Sequence, residues 1–388
     1  MTTSASTSTK TPDMGGASVA HSPGKLILSG EHSVLYGAPA LAMALAQYTE
    51  VRFVPQGPGA GLRTAFENLS SGVNYPLQLL HKLKSSLDDR FDQFKRGELK
   101  VQEILTHPDD LAVYTLASLL QDQDGSTGTS VAGIGAVGHL PHPGQLSSRS
   151  SIPIGAGLGS SAAVVAAVTV LFETLLNRHK TLEDRYERVR FCERLKHGKA
   201  GPIDAAAVVR GGLVHVGGAG LSVPTVDPSH GLAEGDGWYW VLHGRPDSST
   251  GECVAHVRAH HGSDTALWRA FGTCTDGLAQ ALSDGSDVRD LLRENHSLLE
   301  HIGVVPEPAQ DFTRAVSALG GAAKVCGAGS VQGSGGGAIL VRLSDSEAME
   351  SLMQDHPDKA WSKLRMATTG ASAGPAPQMS ATIKGQTV

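Results

Sequence analysis

Residues 151–163 read SIPIGAGLGSSAA, a β-like alternation that ends in a glycine-rich turn and runs directly into an alanine-rich apolar stretch. Gly155, Gly157 and Gly159 carry no side chain, so the backbone can approach a polyanion closely there. The first unpaired N–H groups of the following helix add about half a positive charge, and together these features suit phosphate. Ser160 and Ser161 stand where a helix cap or a metal-ligating hydroxyl would stand. No Gly-Lys-Ser/Thr closes the run as in the Walker pattern, and its glycine spacing, with no acid downstream, does not fit the dinucleotide fingerprint. A plain strand-to-helix connection uses similar glycines, so the reading depends on three further segments.

The first is a helix predicted over 182–197. At 100° per residue from Leu182, Tyr186 projects at about 40°, Val189 at about 340° and Glu193 at about 20°, which puts a carboxylate inside the apolar stripe. An unpaired buried Glu costs several kcal/mol, so Glu193 reaches the domain rim, meets Lys or Arg, or binds a cation. Beside a phosphate turn the cation reading gains weight, because magnesium at nucleotides takes one or two carboxylates plus phosphate oxygens. Eleven residues on, HGKAGPIDAAAVVRGG places Asp204 in an apolar neighbourhood. Gly198 stops the preceding helix and Pro202 suits the first turn of the next, so Asp204 falls near a helix N-terminus. It is either a helix-capping residue or a group that orients or deprotonates a substrate hydroxyl, provided a cation keeps it ionised. Lys25, at the start of the strand KLILS after a Pro-Gly turn, is the natural cation. By itself it reads as a solvated strand-end charge. Paired with Asp204 at about 4 Å and an effective dielectric near 20, it would contribute roughly 4 kcal/mol, against about 1 in water.

Glycines recur in AAKVCGAGSVQGSGGGAILV, where a long turn, 327–337, separates two strand-like runs. It is a floppy hairpin or a second backbone cradle closing over phosphates. Asn295 falls inside the apolar stripe of its helix and reads as a satisfied buried amide. The seventeen histidines show no helix-face spacing that singles out a metal site, and HVRAHH reads as a solvated helix end.

Composition narrows the function classes. A chain of 388 residues is long enough for two domains. Hydrophobic content of 40% and a formal charge of -6 give no basic field for nucleic acid or anionic lipid, and neither is expected as a partner. Cys192, Cys253, Cys274 and Cys326 lie far apart without CxxC pairing, which reads as reduced thiols in a cytoplasmic protein. No secretory signal or membrane span is expected. Gly, Ser, Thr and Pro enrichment marks residues 1–17 and 369–388 as disordered tails and 121–151 as an excursion before the phosphate turn. The Gly- and Pro-rich stretch 217–237 is the expected boundary between domains at 18–232 and 236–368. Helical patterns at 74–96, 108–121, 160–178, 182–197, 249–260, 264–282, 286–302 and 307–319, with strand-like runs at 25–29, 238–242 and 338–343, make the class mixed α/β.

Four segments stand in one order: PGKLILSGEHSVLYG, SIPIGAGLGSSAA, ERLKHGKAGPIDAA and KVCGAGSVQGSGGGAIL. Together they resemble the galacto-homoserine-mevalonate-phosphomevalonate (GHMP) kinase superfamily, over about residues 22–343. Within it, GEHSVLYG, GRPDSSTGECV and NHSLLEHIGV resemble the mevalonate kinase branch. The resemblance implies an N-terminal ATP-binding α/β domain with a left-handed βαβ crossover and a C-terminal ferredoxin-like domain. It implies ATP and Mg2+ as cofactors and a small hydroxy-acid substrate, phosphorylated on a primary hydroxyl, and it leaves a homodimer open. Carried over by position, Gly155, Ala156, Gly157, Leu158, Gly159, Ser160 and Ser161 wrap the phosphates and Ser150 contacts nucleotide. Ser161 and Glu193 hold magnesium, Asp204 acts as base and Lys25 stabilises charge. Glu31, His32, Gly327 and Gly329 line the substrate side. Two departures stand out. The family writes PSGxD before the base where this chain has Gly201 and Pro202, and SVQGS is interposed in the third glycine motif. They leave open a different acceptor, a phosphorylated intermediate or a sugar, and a catalytically inactive ligand sensor is the rival of another class.

Overall fold

The computed structural model describes residues 17–67, 69, 70, 72–121, 140, 142–218, 220–377 and 383–385. Most of the 121–151 excursion and the first sixteen residues lie outside the described residues. The strands are β1 (Ser18–Ser29), β2 (Ala40–Pro55), β3 (Leu62–Phe66), β4 (Asn74–Tyr75), β5 (Gly144–Ser150), β6 (Leu213–Gly217), β7 (Gly220–Ser222), β8 (Trp238–His243), β9 (Ala322–Cys326), β10 (Gly337–Arg342), β11 (Trp361–Lys363) and β12 (Ser372–Ala373). One sheet runs β12-β1-β2-β5-β3-β4, with β6 also on β2 and β7 on β6. Its pairings are antiparallel except for β3 with β5. A second sheet, antiparallel throughout, runs β11-β8-β10-β9.

Helices α1 (Leu80–Lys95), α2 (Asp110–Gln121), α3 (Ser160–Leu175), α4 (Leu182–His197) and α5 (Pro202–Arg210) go with the first sheet. The second is followed and covered by α6 (Thr250–His261), α7 (Thr265–Asp284), α8 (Arg289–His301), α9 (Glu307–Ala318) and α10 (Ser346–Gln354). The boundaries follow local chemistry. A reciprocal capping box of Thr181 and Asp184 starts α4, and Gly198 in a positive-φ conformation ends it. The helix expected from residue 74 begins only at Leu80, because Asn74 and Tyr75 pair with β3 and Pro76 leads into a single 3-10 turn.

Period-two alternation builds three layers from two sheets. Trp238 and Trp240 of β8, with Ala338 and Leu340 of β10, face the first sheet and pack with Leu26, Leu28, Leu41 and Met43. Tyr239, Val241, Ile339 and Val341 face the other way, onto Phe271, Leu299, Phe312 and Val316. On the far side of the first sheet, Val51, Phe53 and Leu146 pack on the helical layer of Leu116, Val165, Phe172 and Val208. The chain passes from one sheet to the other between Ser222 and Trp238, yet the halves share a core rather than touching at a rim.

One expectation is corrected. Part of the segment read as a disordered C-terminal tail is ordered, because Ser372 and Ala373 add β12 to the edge of β1. Ala371 N–H donates to Val208 O and Gly374 N–H to Val19 O, both near 2.9 Å. The small residues that argued against a hydrophobic core are what fit here: a Cβ on Gly370 would lie 2.0 Å from Val209 O. Among the described residues no helix is long and apolar enough to cross a membrane.

His296 of α8 packs under the second sheet, where Val325 N–H points at its Nδ1 (3.5 Å) and Nε2 lies 2.9 Å from Thr313 Oγ1. Burial first, and then the charges of Lys324 and Arg314, hold its pKa down at about 4. These outweigh the Glu300 carboxylate 3.2 Å from Nε2. The unfolded chain therefore binds a proton near pH 6.5 that the folded one refuses until about pH 4, so stability falls as pH falls through that window. Compared by urea unfolding at pH 7 and pH 4, His296→Gln is expected to lose about 3 kcal/mol less than the parent chain over this interval.

Candidate active site

The phosphate-type turn joins β5 to α3, and Gly155, Gly157 and Gly159 all take φ of 78°, the left-handed region. Among the described residues, a Cβ at Gly155 or Gly157 would meet nothing within 4 Å, so no described residue fills the face they present. At Gly159 a Cβ would lie 2.6 Å from Lys25 Cγ. The turn is fastened to β1 by the Lys25 N–H, which donates to Leu158 O at 2.9 Å, beside a register shift between Pro23 and Gly24. Gly159 precedes Ser160 and has no side chain to cap α3, which leaves the helix's first amides facing the turn. Ser150 Oγ accepts the Ile152 N–H at 3.1 Å and meets Thr49 Oγ1 at 2.9 Å at the entrance.

Both acids converge on this turn. Lys25 Nζ lies 2.9 Å from Asp204 Oδ1, and the lysine side chain is 6% exposed against 34% for the aspartate. The cation is thus buried while the carboxylate opens outward from the first turn of α5, which begins at Pro202. Glu193 is buried on α4. Ser161 Oγ donates to its Oε2 at 2.9 Å, and His197 Nε2 lies 3.4 Å from the same oxygen. Its other oxygen, Oε1, is buried with no hydrogen-bond partner among the described residues. One acid therefore reaches Gly159 through Lys25, and the other reaches Ser161, two residues further along the same turn.

The remaining expected residues divide. Glu31 does not present a free carboxylate to a substrate: its side chain is 1% exposed and its Oε1 pairs with Lys324 Nζ of β9, itself fully buried. Burial works against the Lys324 charge, but the Glu31 carboxylate beside it outweighs that cost and holds the lysine above its usual range. Among the described residues Glu31 Oε2 has no hydrogen-bond partner. His32 Nε2 meets Ala328 O at 3.0 Å, and burial lowers its pKa, so at neutral pH it donates as the uncharged ring. Gly327 and Gly329 have φ of 86° and 68°. Gly327 borders open space, whereas Gly329 is closed against Val304 O, 2.0 Å from where a Cβ would stand.

The interposed SVQGS segment is pinned rather than floppy. Asp247 Oδ2 accepts the Ser334 and Gly335 N–H groups at 3.0 and 3.1 Å, while Ser248 N–H donates to Ser330 Oγ at 2.9 Å and Val331 N–H donates to Ser248 Oγ at 3.2 Å. Sequence reasoning missed Lys324, whose signal was a lone lysine between apolar neighbours in AAKVC. It also missed Asp247, which carries no signal before the fold brings residues 247 and 334 together. Asn295 Nδ2 donates to Ser29 Oγ at 2.7 Å, but its Oδ1 is unpartnered, so the amide is satisfied only in part.

Beside the turn lies a cavity of about 360 Å³ whose lining includes Ser150, Ser160, Ser161, Lys196, Phe66 and Leu111. Its wall is mainly apolar with several polar side chains, a lining that suits a small molecule with both apolar and polar parts.

A glycine turn at a helix start, with a hydroxyl–carboxylate pair and a lysine-held aspartate beside it, is the chemistry of an ATP-dependent kinase of small molecules. Residues 125–212 match the family described as GHMP kinases N terminal domain. The mevalonate kinase of Pyrococcus abyssi is 28% identical over 346 residues, covering 86% of this chain and 90% of its own. Among solved structures, the mevalonate kinase of Methanococcus jannaschii superposes with a TM-score of 0.69 at 19% identity, covering 91% of this chain and 99% of that one. Lactococcus lactis galactokinase complexed with galactose gives 0.65 at 15%, covering 93% and 96%. The chain is thus similar to the GHMP kinases in its N-terminal half and to mevalonate kinases over most of its length, and it shares their fold.

The two glycine environments separate backbone strain from contact. A positive φ costs any L-residue roughly 1 kcal/mol, so Gly157→Ala should lose about that much. Gly159→Ala should lose at least ~1 kcal/mol more by urea unfolding, since its Cβ overlaps the Lys25 stem.

Proposed function

We propose that the chain transfers the γ-phosphoryl group of ATP to the primary hydroxyl of mevalonate, giving 5-phosphomevalonate and ADP. The observation that carries this reading is the convergence of Asp204, through Lys25, and Glu193, through Ser161, on residues 159 and 161 of one turn. The acceptor comes from the relatives, which carry the name mevalonate kinase across nine-tenths of their length.

In this reading Gly155, Ala156, Gly157, Leu158, Gly159 and Ser160 hold the phosphates with backbone N–H groups, and Ser150 and the neighbouring cavity take the nucleoside. Ser161 and Glu193 hold Mg2+; the orphaned Glu193 Oε1 is the kind of oxygen a cation would satisfy, and a single carboxylate suffices where phosphates supply the other ligands. When bound, the cation neutralises phosphate charge. Asp204 takes the proton of the acceptor hydroxyl as its oxygen bonds to the γ-phosphorus and the bond to ADP breaks. Lys25 pairs with the Asp204 carboxylate and offsets negative charge in the transition state. Gly327 and His32 flank the acceptor. Positioning and charge compensation supply most of the rate, because phosphoryl transfer asks little covalent work of the protein.

A second reading keeps the chemistry and changes the acceptor. Gly201 and Pro202 replace the serine and glycine that the family writes before the base, and the fold is shared with a galactokinase. ADP release from ATP and Mg2+ over a panel of mevalonate, phosphomevalonate, homoserine and galactose decides between them: mevalonate is expected to give the highest kcat/KM, and a higher value for any other acceptor refutes the assignment. The simultaneous presence of Lys25, Ser161, Glu193 and Asp204 argues against an inactive sensor, which would bind ligand and release no ADP.

Asp204→Asn is expected to lower kcat about 1,000-fold while the Kd for ATP, read by calorimetry, stays within about twofold. Glu193→Gln should instead raise the Mg2+ concentration for half-maximal rate by about tenfold or more, which a metal titration at saturating ATP measures.

A further inference from the structure

Two consecutive residues of the first half hold the third glycine turn of the second. Glu31 follows β1 directly after Gly30, and Lys324 sits in β9, three residues before Gly327. His32 reaches Ala328 on the far side of that glycine. The two contacts therefore bracket Gly327, whose missing Cβ borders open space. A buried ion pair adds little net stability over apolar side chains of similar volume, but it is strict about geometry. Strand side chains alternate faces, so a one-residue slip of β9 would turn Lys324 away from Glu31 and leave two charges buried without partners. Cys326, also beside Lys324, does not supply the counter-charge: burial pushes its thiol up to about 11, so it is neutral at physiological pH.

We propose that the Glu31–Lys324 pair is a clasp between the two halves that fixes the register of β9 and thereby positions the third glycine turn over the acceptor. Lys324 is a positioning residue that touches neither nucleotide nor acceptor. Glu31 belongs to the same clasp rather than to the substrate surface. β1, which ends at Ser29 two residues before Glu31, also carries Lys25, so the clasp ties the acceptor-facing turn to the strand that holds the base. The kinetic part of this inference rests on the kinase reading above; the structural part does not.

The test compares the parent chain with Glu31→Leu/Lys324→Met, which removes both charges and keeps the volume. Its unfolding midpoint should be unchanged or higher, while amide hydrogen exchange over residues 326–330 should be at least tenfold faster. With the best acceptor of the parent chain, kcat/KM for that acceptor should fall at least tenfold and the KM for ATP should stay within about twofold. Glu31→Gln keeps the shape and weakens the pair, so it remains informative should the double variant not fold; it should shift exchange and acceptor kcat/KM in the same direction by at least threefold. Exchange over 326–330 within twofold of the parent in a folded variant overturns the clasp, as does an equal loss for ATP and acceptor. A parent chain that releases no ADP with any acceptor counts against the kinase reading alone, and the exchange result still decides the clasp.

Discussion

The stem of Lys25 lies against Gly159 while its backbone N–H donates to Leu158 O and its ammonium to Asp204. Through this one residue, strand β1, the glycine turn and helix α5 are held at fixed distances from one another. The arrangement demands glycine at 159, because any Cβ would displace the lysine, and glycine at 24, where a Cβ would lie 2.9 Å from Leu158 O. Burying the lysine stem while leaving the aspartate at the opening concentrates the pair's attraction in a low-dielectric setting, and the carboxylate stays within reach of a substrate.

The rest of the fold makes that contact possible. β1 and β2 are lined with small and medium apolar residues, which let the alanine-rich helix α3 approach from one side and the tryptophans of β8 from the other. A sheet buried on both faces is rigid, and a rigid β1 carries Lys25 in its middle and Glu31 just beyond its end. The layered core and the site are therefore one construction. The second half contributes the third glycine turn, anchored by Asp247 and Ser248 from within and by Glu31 and His32 from across the core.

Local signals were legible where a residue's neighbours in sequence are also its neighbours in space. Helix periodicity put Glu193 on the apolar face of α4, and Gly198 and Pro202 located Asp204 in a first turn, because capping chemistry acts over four residues. Composition failed at the C-terminus. It weighs large apolar residues and is blind to an edge strand that gains order from backbone hydrogen bonds and close packing of small residues, as the segment around Ser372 and Ala373 does on β1. The helix expected from residue 74 failed for a related reason, since strand pairing with β3 outcompeted local propensity at Asn74 and Tyr75.

The sequence by itself determined the phosphate-type turn, the helix registers, the two acids and the lysine able to hold one of them, since each depends on spacing along the chain. Only the tertiary structure decided that Lys25 and Asp204 meet, that Glu193 keeps one carboxylate oxygen unsatisfied, and that Glu31 turns inward to Lys324. Residues 31 and 324 lie far apart on the polypeptide. No local propensity couples such positions; they become neighbours only when two sheets close on a shared apolar layer and bury both charges where each needs the other.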